Sequence, residues 1–216
     1  MTAQDDRVTS YLAGPDFRAR CATNLAGFER IPVLGGEGRR HSAVAVCVVA
    51  GPTDEACFVI TQRAARLRAH AGQFALPGGR VERGEDAVAA ALREVHEEVG
   101  LQCTVGDVLG VLDDYPTRSG YLITPVVIWV PAGIPLAPDP AEVAAVHLAP
   151  IAELDDPEAP RLLTIPESDR PVIQMPVLGH WIHAPTAAVL YQFRDVVVHG
   201  RPTRVGHFDQ PVWAWQ

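Results

Sequence analysis

Lysine is absent. All 18 basic residues of the 216-residue chain are arginine, and 26 acidic residues leave a formal net charge of −8. A chain so short of positive charge lacks the cationic face that displaces counterions from a phosphate backbone, so a nucleic-acid partner is not expected. Exclusive arginine fits GC-rich coding, although a guanidinium also suits bidentate phosphate contacts. Cysteine is scarce: Cys21, Cys47, Cys57 and Cys103 are widely spaced and form no C-x-x-C pair. That excludes a disulfide scaffold and fits a reducing, cytoplasmic setting in which cysteine acts as a small hydrophobe. The opening MTAQDDRVTSYLAG has no cationic region leading into an apolar run, so no signal peptide is expected. Uninterrupted apolar runs are missing as well. Ser119 to Pro138 carries no charge, but Pro125, Pro131, Pro135 and Pro138 break it, which suits a buried strand and loop and not a membrane span. No repeat or low-complexity block is present, and 48% hydrophobic with 20% charged residues is ordinary globular composition.

The order of elements follows from periodicity. Residues 1–40 alternate polar and apolar clusters and read as an N-terminal extension before the core. HSAVAVCVVA (41–50) and ACFVITQR (56–63) are β-rich runs around GPTDE and predict a hairpin. FALPGG predicts a short strand ending in a turn, and a helix is expected from about Asp86 to Val99, closed by Gly100. VGDVLGVLDDY, YLITPVVIWV and EVAAVHLAPI are further strand candidates. Residues 155–181 are proline-rich and read as a surface excursion. HAPTAAVLYQFRDVVVHG predicts a second amphipathic helix, and residues 200–216 form a C-terminal tail. The expectation is one α/β domain over 41–199, a mixed sheet flanked by helices.

The chemistry concentrates in 79–101, GRVERGEDAVAAALREVHEEVGL. At helical spacing Val88, Leu92, Val95 and Val99 share one stripe, while Glu94, Glu97 and Glu98 gather on nearly the opposite side. Like charges three and four residues apart repel, and a cation between them turns that cost into affinity. Mg²⁺ takes oxygen ligands and shares them between a few carboxylates and substrate phosphates. A solvated acidic face is the plainer reading of three glutamates alone.

The spacing decides between them. The segment resembles the Nudix box, G-x5-E-x7-R-E-U-x-E-E-x-G-U with U aliphatic, and Gly79, Glu85, Arg93, Glu94, Val95, Glu97, Glu98, Gly100 and Leu101 fill all its specified positions. The resemblance implies the Nudix α/β/α sandwich with a mixed β-sheet between helices, and hydrolysis of a diphosphate linkage. It implies Mg²⁺ or Mn²⁺ held by Glu94, Glu97, Glu98 and the Gly79 carbonyl, with Glu85 and Arg93 bracing the loop–helix–loop. Either Glu97 or Glu142, the latter outside the box, is the base that activates water.

Substrate identity must come from neighbouring loops. Between Val59 and Arg83, five arginines (Arg63, Arg66, Arg68, Arg80, Arg83) face one glutamate, a local charge of +4 that would steer and clamp an anion. This stretch resembles the coenzyme A diphosphatase signature, L-L-T-x-R-[SA]-x3-R-x3-G-x3-F-P-G-G. Thr61, Arg63, Ala64, Arg68, Gly72, Pro77, Gly78 and Gly79 match in register, Val59 and Ile60 replace the leucines, and Leu76 replaces the phenylalanine. The implied partner is a small CoA-like nucleotide, cleaved to 4′-phosphopantetheine and adenosine 3′,5′-bisphosphate. Arg63, Arg68, His70 and Gly72 are the substrate-site candidates, and for His70 a loop histidine bonded to backbone is an equal reading. Pro116, sixteen residues past Gly100, is where the ADP-ribose-cleaving members carry a proline, but DDYPTRSG also reads as a turn. A nucleotide-binding regulator without turnover is the third reading. The pair His180 and His183 has a spacing that zinc can use, without a third ligand nearby, and Trp181, Trp213 and Trp215 suit packing more than adenine stacking. A homodimer is compatible with the sequence and is not required by it.

Overall fold

The computed structural model describes residues 11–33, 38–64 and 73–214. Helix α1 (Pro15–Ala26) precedes the hairpin β1 (Arg40–Ala50) and β2 (Ala56–Arg63), and the short strands β3 (Phe74–Ala75) and β4 (Gly78–Arg80) follow. Helix α2 (Ala87–Val99) leads to β5 (Val108–Val111), β6 (Tyr115–Pro116), β7 (Tyr121–Trp129) and β8 (Val143–Pro150). Strands β9 (Arg161–Ile165), β10 (Ser168–Val177) and β11 (His180–His183) come next, then α3 (Thr186–Gln192), which continues as a wider π-helical turn over Phe193–Val198.

The main sheet runs β3-β2-β1-β7-β5, with β4 on β1, β6 on β7 and β8 on β2. It is mixed: β1 and β7 are parallel, while β2, β4, β5 and β8 pair antiparallel. Its central strands are buried on both faces, which is why HSAVAVCVVA is almost continuously apolar. Alternate residues serve two cores. Ala43, Ala45 and Cys47 meet Ala90, Ala91, Val95 and Val99 of α2 on one face. On the other, Val46, Val48, Phe58 and Ile60 meet α1, α3 and β10. The sheet therefore lies between helices.

Several sequence expectations are corrected. Residues 155–181 are not a surface excursion. They supply β9, β10 and β11 as a three-stranded antiparallel sheet, and Ile173, Met175 and Val177 are fully buried at period two. Two of the prolines sit where no ladder N–H is needed: Pro166 lies between β9 and β10, and Pro171 at a register shift. The second helix is not amphipathic. Nearly every residue from Ala187 to Val198 is buried, including the ion pair Arg194–Asp195 at 2.9 Å. Residues 105–115 are not one strand but a 3₁₀ turn (Val105–Asp107), β5 and a break before β6. Within the first forty residues, α1 buries Phe17, Cys21 and Leu25 in the core. The tail buries Val205 and Phe208 in the same core.

Candidate active site

Helix α2 is fixed at both ends by its sequence. The Asp86 carboxylate caps it by accepting from the Ala89 N–H at 2.8 Å, and Gly100 ends it in the left-handed region at φ 73°. A side chain at Gly100 would also strike the Ala137 carbonyl oxygen at 2.7 Å.

The two glycines of β4 bring the sheet against this helix. A Cβ on Gly78 would lie 2.3 Å from the Ala43 carbonyl oxygen, so only glycine lets β4 seat on β1. A Cβ on Gly79 would meet the Glu94 carboxylate at 2.1 Å, so that carboxylate rests directly on the Gly79 backbone.

Arg93 organises the acids around it. Its Nε and Nη2 donate to Glu85 at 2.9 and 3.1 Å, Nη2 also donates to the Arg80 carbonyl, and Nη1 donates to both Glu94 and Glu97 at 2.9 Å. Glu97 is the exposed member of the group. Glu98 departs from the sequence reading, which set it on the outer face. It is 4% exposed and accepts from the Gly78 N–H at 3.2 Å. The cause is small side chains: Ala90 and Ala91 pack on Ala43, Ala45 and Cys47, which rotates the buried stripe from Val88 and Leu92 toward Glu98.

Burial pushes the Glu98 carboxyl up to about 7, with Glu94 and Glu142 raising it further and the Gly78 N–H and Arg63 opposing. Burial also raises Glu94, against the pull of Arg93, and Glu97 and Glu142 add to the rise. Glu142 is therefore an electrostatic neighbour of Glu94 and Glu98 despite lying outside the box. Its carbonyl accepts from the Ala64 N–H at 3.0 Å, where β8 runs alongside β2.

The donor set suits a hard divalent cation: carboxylates that raise one another's proton affinity stand beside a glycine backbone at which a ligand can approach closely. Among the described residues no three acidic, imidazole or thiol groups converge closely enough to hold an ion as they stand.

Beside these acids opens a cavity of about 610 Å³. Gly78 and Arg63 are among its lining residues, as are Thr117, Ser119 and Tyr121. His180, His183 and Trp213 also line it, and sequence reasoning did not join them to the site. His183 lies edge-on to Trp213 at 5.5 Å, and its ring nitrogen is 2.8 Å from the Gln174 amide. Trp181 stacks beneath the Arg161 guanidinium at 3.7 Å. The expectations on Arg66, Arg68, His70, Gly72 and Trp215 fall outside the described residues. Pro116 pairs with Leu122 and lines a separate cavity with Arg118 and Asp209. Among the described residues no helix is long and apolar enough to cross a membrane.

The NUDIX domain model matches residues 39–174, more than half of the chain. The chain is 39% identical over 118 residues to the Nudix hydrolase NudL of Photorhabdus laumondii and 45% identical over 116 residues to NudL of Cronobacter sakazakii, both uncharacterized. These matches take in 54% and 53% of this chain but only 62% and 59% of those relatives. A MutT/nudix family protein from Enterococcus faecalis superimposes with a TM-score of 0.57 at 17% identity, over 94% of this chain and 78% of the other, which is a likeness of fold. Enzymes of this family generally use divalent metals such as Mg²⁺ or Mn²⁺. By its domain, its relatives and its fold, the chain belongs to the Nudix hydrolase family.

Proposed function

We propose that this Nudix hydrolase cleaves the diphosphate linkage of coenzyme A or an acyl-CoA, giving 4′-phosphopantetheine or its acyl form and adenosine 3′,5′-bisphosphate. The observation that carries the reading is the position of Arg63. This residue of the coenzyme A diphosphatase signature ends β2, lines the cavity and electrostatically opposes protonation of Glu98. An arginine there takes a diphosphate oxygen while the bridging bond lies toward the acids of α2. The other signature positions among the described residues, Thr61, Ala64, Pro77, Gly78 and Gly79, support the same assignment.

Glu94, Glu97, Glu98 and the Gly79 carbonyl would hold Mg²⁺ or Mn²⁺, which supplies charge neutralisation of the diphosphate and an acidified water. Arg93 keeps Glu94 and Glu97 in register with each other and with Glu85. Water attacks one phosphorus, the bridging P–O bond breaks, and the water's proton passes to Glu97 or Glu142. Glu142 is a candidate because its charge raises the proton affinity of both Glu94 and Glu98. The cavity walls of Phe74, His180, His183 and Trp213 receive the organic part of the substrate.

The competing ADP-ribose reading rests on Pro116, which lines a neighbouring cavity that shares Thr117 with this one. The deciding experiment incubates purified protein and Mg²⁺ or Mn²⁺ with CoA, acyl-CoA, ADP-ribose and NADH, with products separated by chromatography. Preferential cleavage of CoA or acyl-CoA is expected. Preferential release of ribose 5-phosphate from ADP-ribose rejects the reading, and nucleotide binding without cleavage points to a regulator.

A further inference from the structure

Most arginines with a defined role in this acidic chain sit on a carboxylate: Arg30 on Asp114, Arg93 on Glu85, Arg118 on Asp209, Arg204 on Asp113. Two at the cavity rim do not. Arg40 and Arg80 are exposed, and among the described residues neither is paired with an acid. Both are instead gathered on one aromatic ring. The Arg40 guanidinium lies 4.0 Å and that of Arg80 5.9 Å from the centroid of Tyr121, Arg80 donates to the Tyr121 hydroxyl at 3.0 Å, and Arg40 donates to the Ser119 carbonyl at 3.0 Å.

Strand register puts this cluster on the cavity's own face. Arg40 is opposite Tyr121, Ser42 is opposite both Arg80 and Ile123, and Val44 is opposite Gly78. Side chains two apart share a face. Arg40 and Arg80 therefore extend the wall formed by Val44, Gly78, Tyr121 and Ile123, which line the cavity. Each contact to Tyr121 and Ser119 uses one N–H of a guanidinium that carries five donors. Two like charges held side by side without a counter-ion repel, and a dianion between them removes that cost.

Resting on the proposed coenzyme A reading, we infer that Arg40 and Arg80, held by Tyr121, form a second anion subsite at the cavity rim that takes a phosphate monoester of the substrate, separate from the diphosphate held near Arg63. In coenzyme A that group is the 3′-phosphate. The subsite makes these arginines selectivity determinants: they distinguish substrates carrying the extra phosphate from those without it.

The test compares CoA with 3′-dephospho-CoA for the wild type, Arg40→Gln, Arg80→Gln and a charge-matched control, Arg18→Gln, on the exposed side of α1. The ratio of kcat/KM for the two substrates should fall about tenfold or more in each rim variant and hold in the control. A ratio unchanged in the rim variants, or lowered equally in the control, overturns the subsite. A second measurement separates this outcome from failure of the substrate reading. Calorimetric titration of adenosine 3′,5′-bisphosphate and adenosine 5′-monophosphate needs no turnover. Wild type should favour the bisphosphate, and Arg40→Gln should lose that preference. If CoA is not cleaved the substrate reading fails alone, and the titration still decides the subsite: equal wild-type binding of the two nucleotides rejects it.

Discussion

Replacing Glu98 by glutamine should make the metal-free protein more stable and the enzyme inactive. Glu98 is 4% exposed, and its carboxyl is pushed up to about 7 chiefly by burial. Its unfolded value is near 4.5, so the folded state binds the extra proton between the two. Stability is therefore highest while Glu98 is protonated, and it falls as the pH climbs from about 4.5 to about 7. The shift corresponds to at most about 3 kcal/mol. Glutamine keeps the shape and an acceptor for the Gly78 N–H without the ionisation. In chelator-treated protein the Glu98→Gln midpoint should match wild type near pH 5 and exceed it at pH 8 by up to about 6–12 °C. Turnover should meanwhile fall by roughly 10²–10³-fold or more. On the proposed metal site Glu98 ionises to bind the cation, so wild-type Mn²⁺ affinity should rise about tenfold per pH unit below 7 and level off above it. Thermal unfolding and metal titration across pH 5–8 check both. A variant less stable than wild type at pH 8, with chelator, would refute the buried-carboxyl argument. Near-normal turnover would remove the acid cluster from the mechanism.

Other perturbations follow from the same geometry. Gly79→Ala pushes a methyl into the Glu94 carboxylate, the movable end of a side chain, so activity should drop at least about tenfold with little loss of stability. Gly78→Ala strikes the backbone of Ala43 and should cost about 1–3 kcal/mol in denaturant unfolding. Arg63→Ala should lower kcat/KM for the diphosphate substrate about 10–100-fold and move the acid limb of the pH–rate profile upward, since Arg63 favours ionised Glu98. Asp209 is held well below the usual carboxylate range by Arg118, helped by Ser168, so its stabilisation is present above about pH 4 and lost as pH falls. Asp209→Asn should cost about 1.5–3 kcal/mol at pH 7 and much less near pH 2, read by denaturant unfolding.

Local sequence determined a good deal here. Asp86 and Gly100 bound α2 because a short acceptor satisfies the first turn and a residue without Cβ reverses the chain at the last. The runs 41–50 and 56–63 form the hairpin because their apolar residues serve two cores at once. The nine box positions identify the family because their spacing is that of one loop and one helix. Tertiary structure decided the rest. Glu98 lies inside because alanines approach the sheet more closely than Val88 and Leu92 can, a choice made by packing and not by hydrophobic count. Residues 155–181 became a sheet because the buried set Ile173, Met175 and Val177 outweighed the prolines around it. The cavity joins Arg63, Tyr121, His183 and Trp213, which are far apart in sequence and share no local pattern. Only folding, which exchanges chain entropy for burial, brings such residues to one wall.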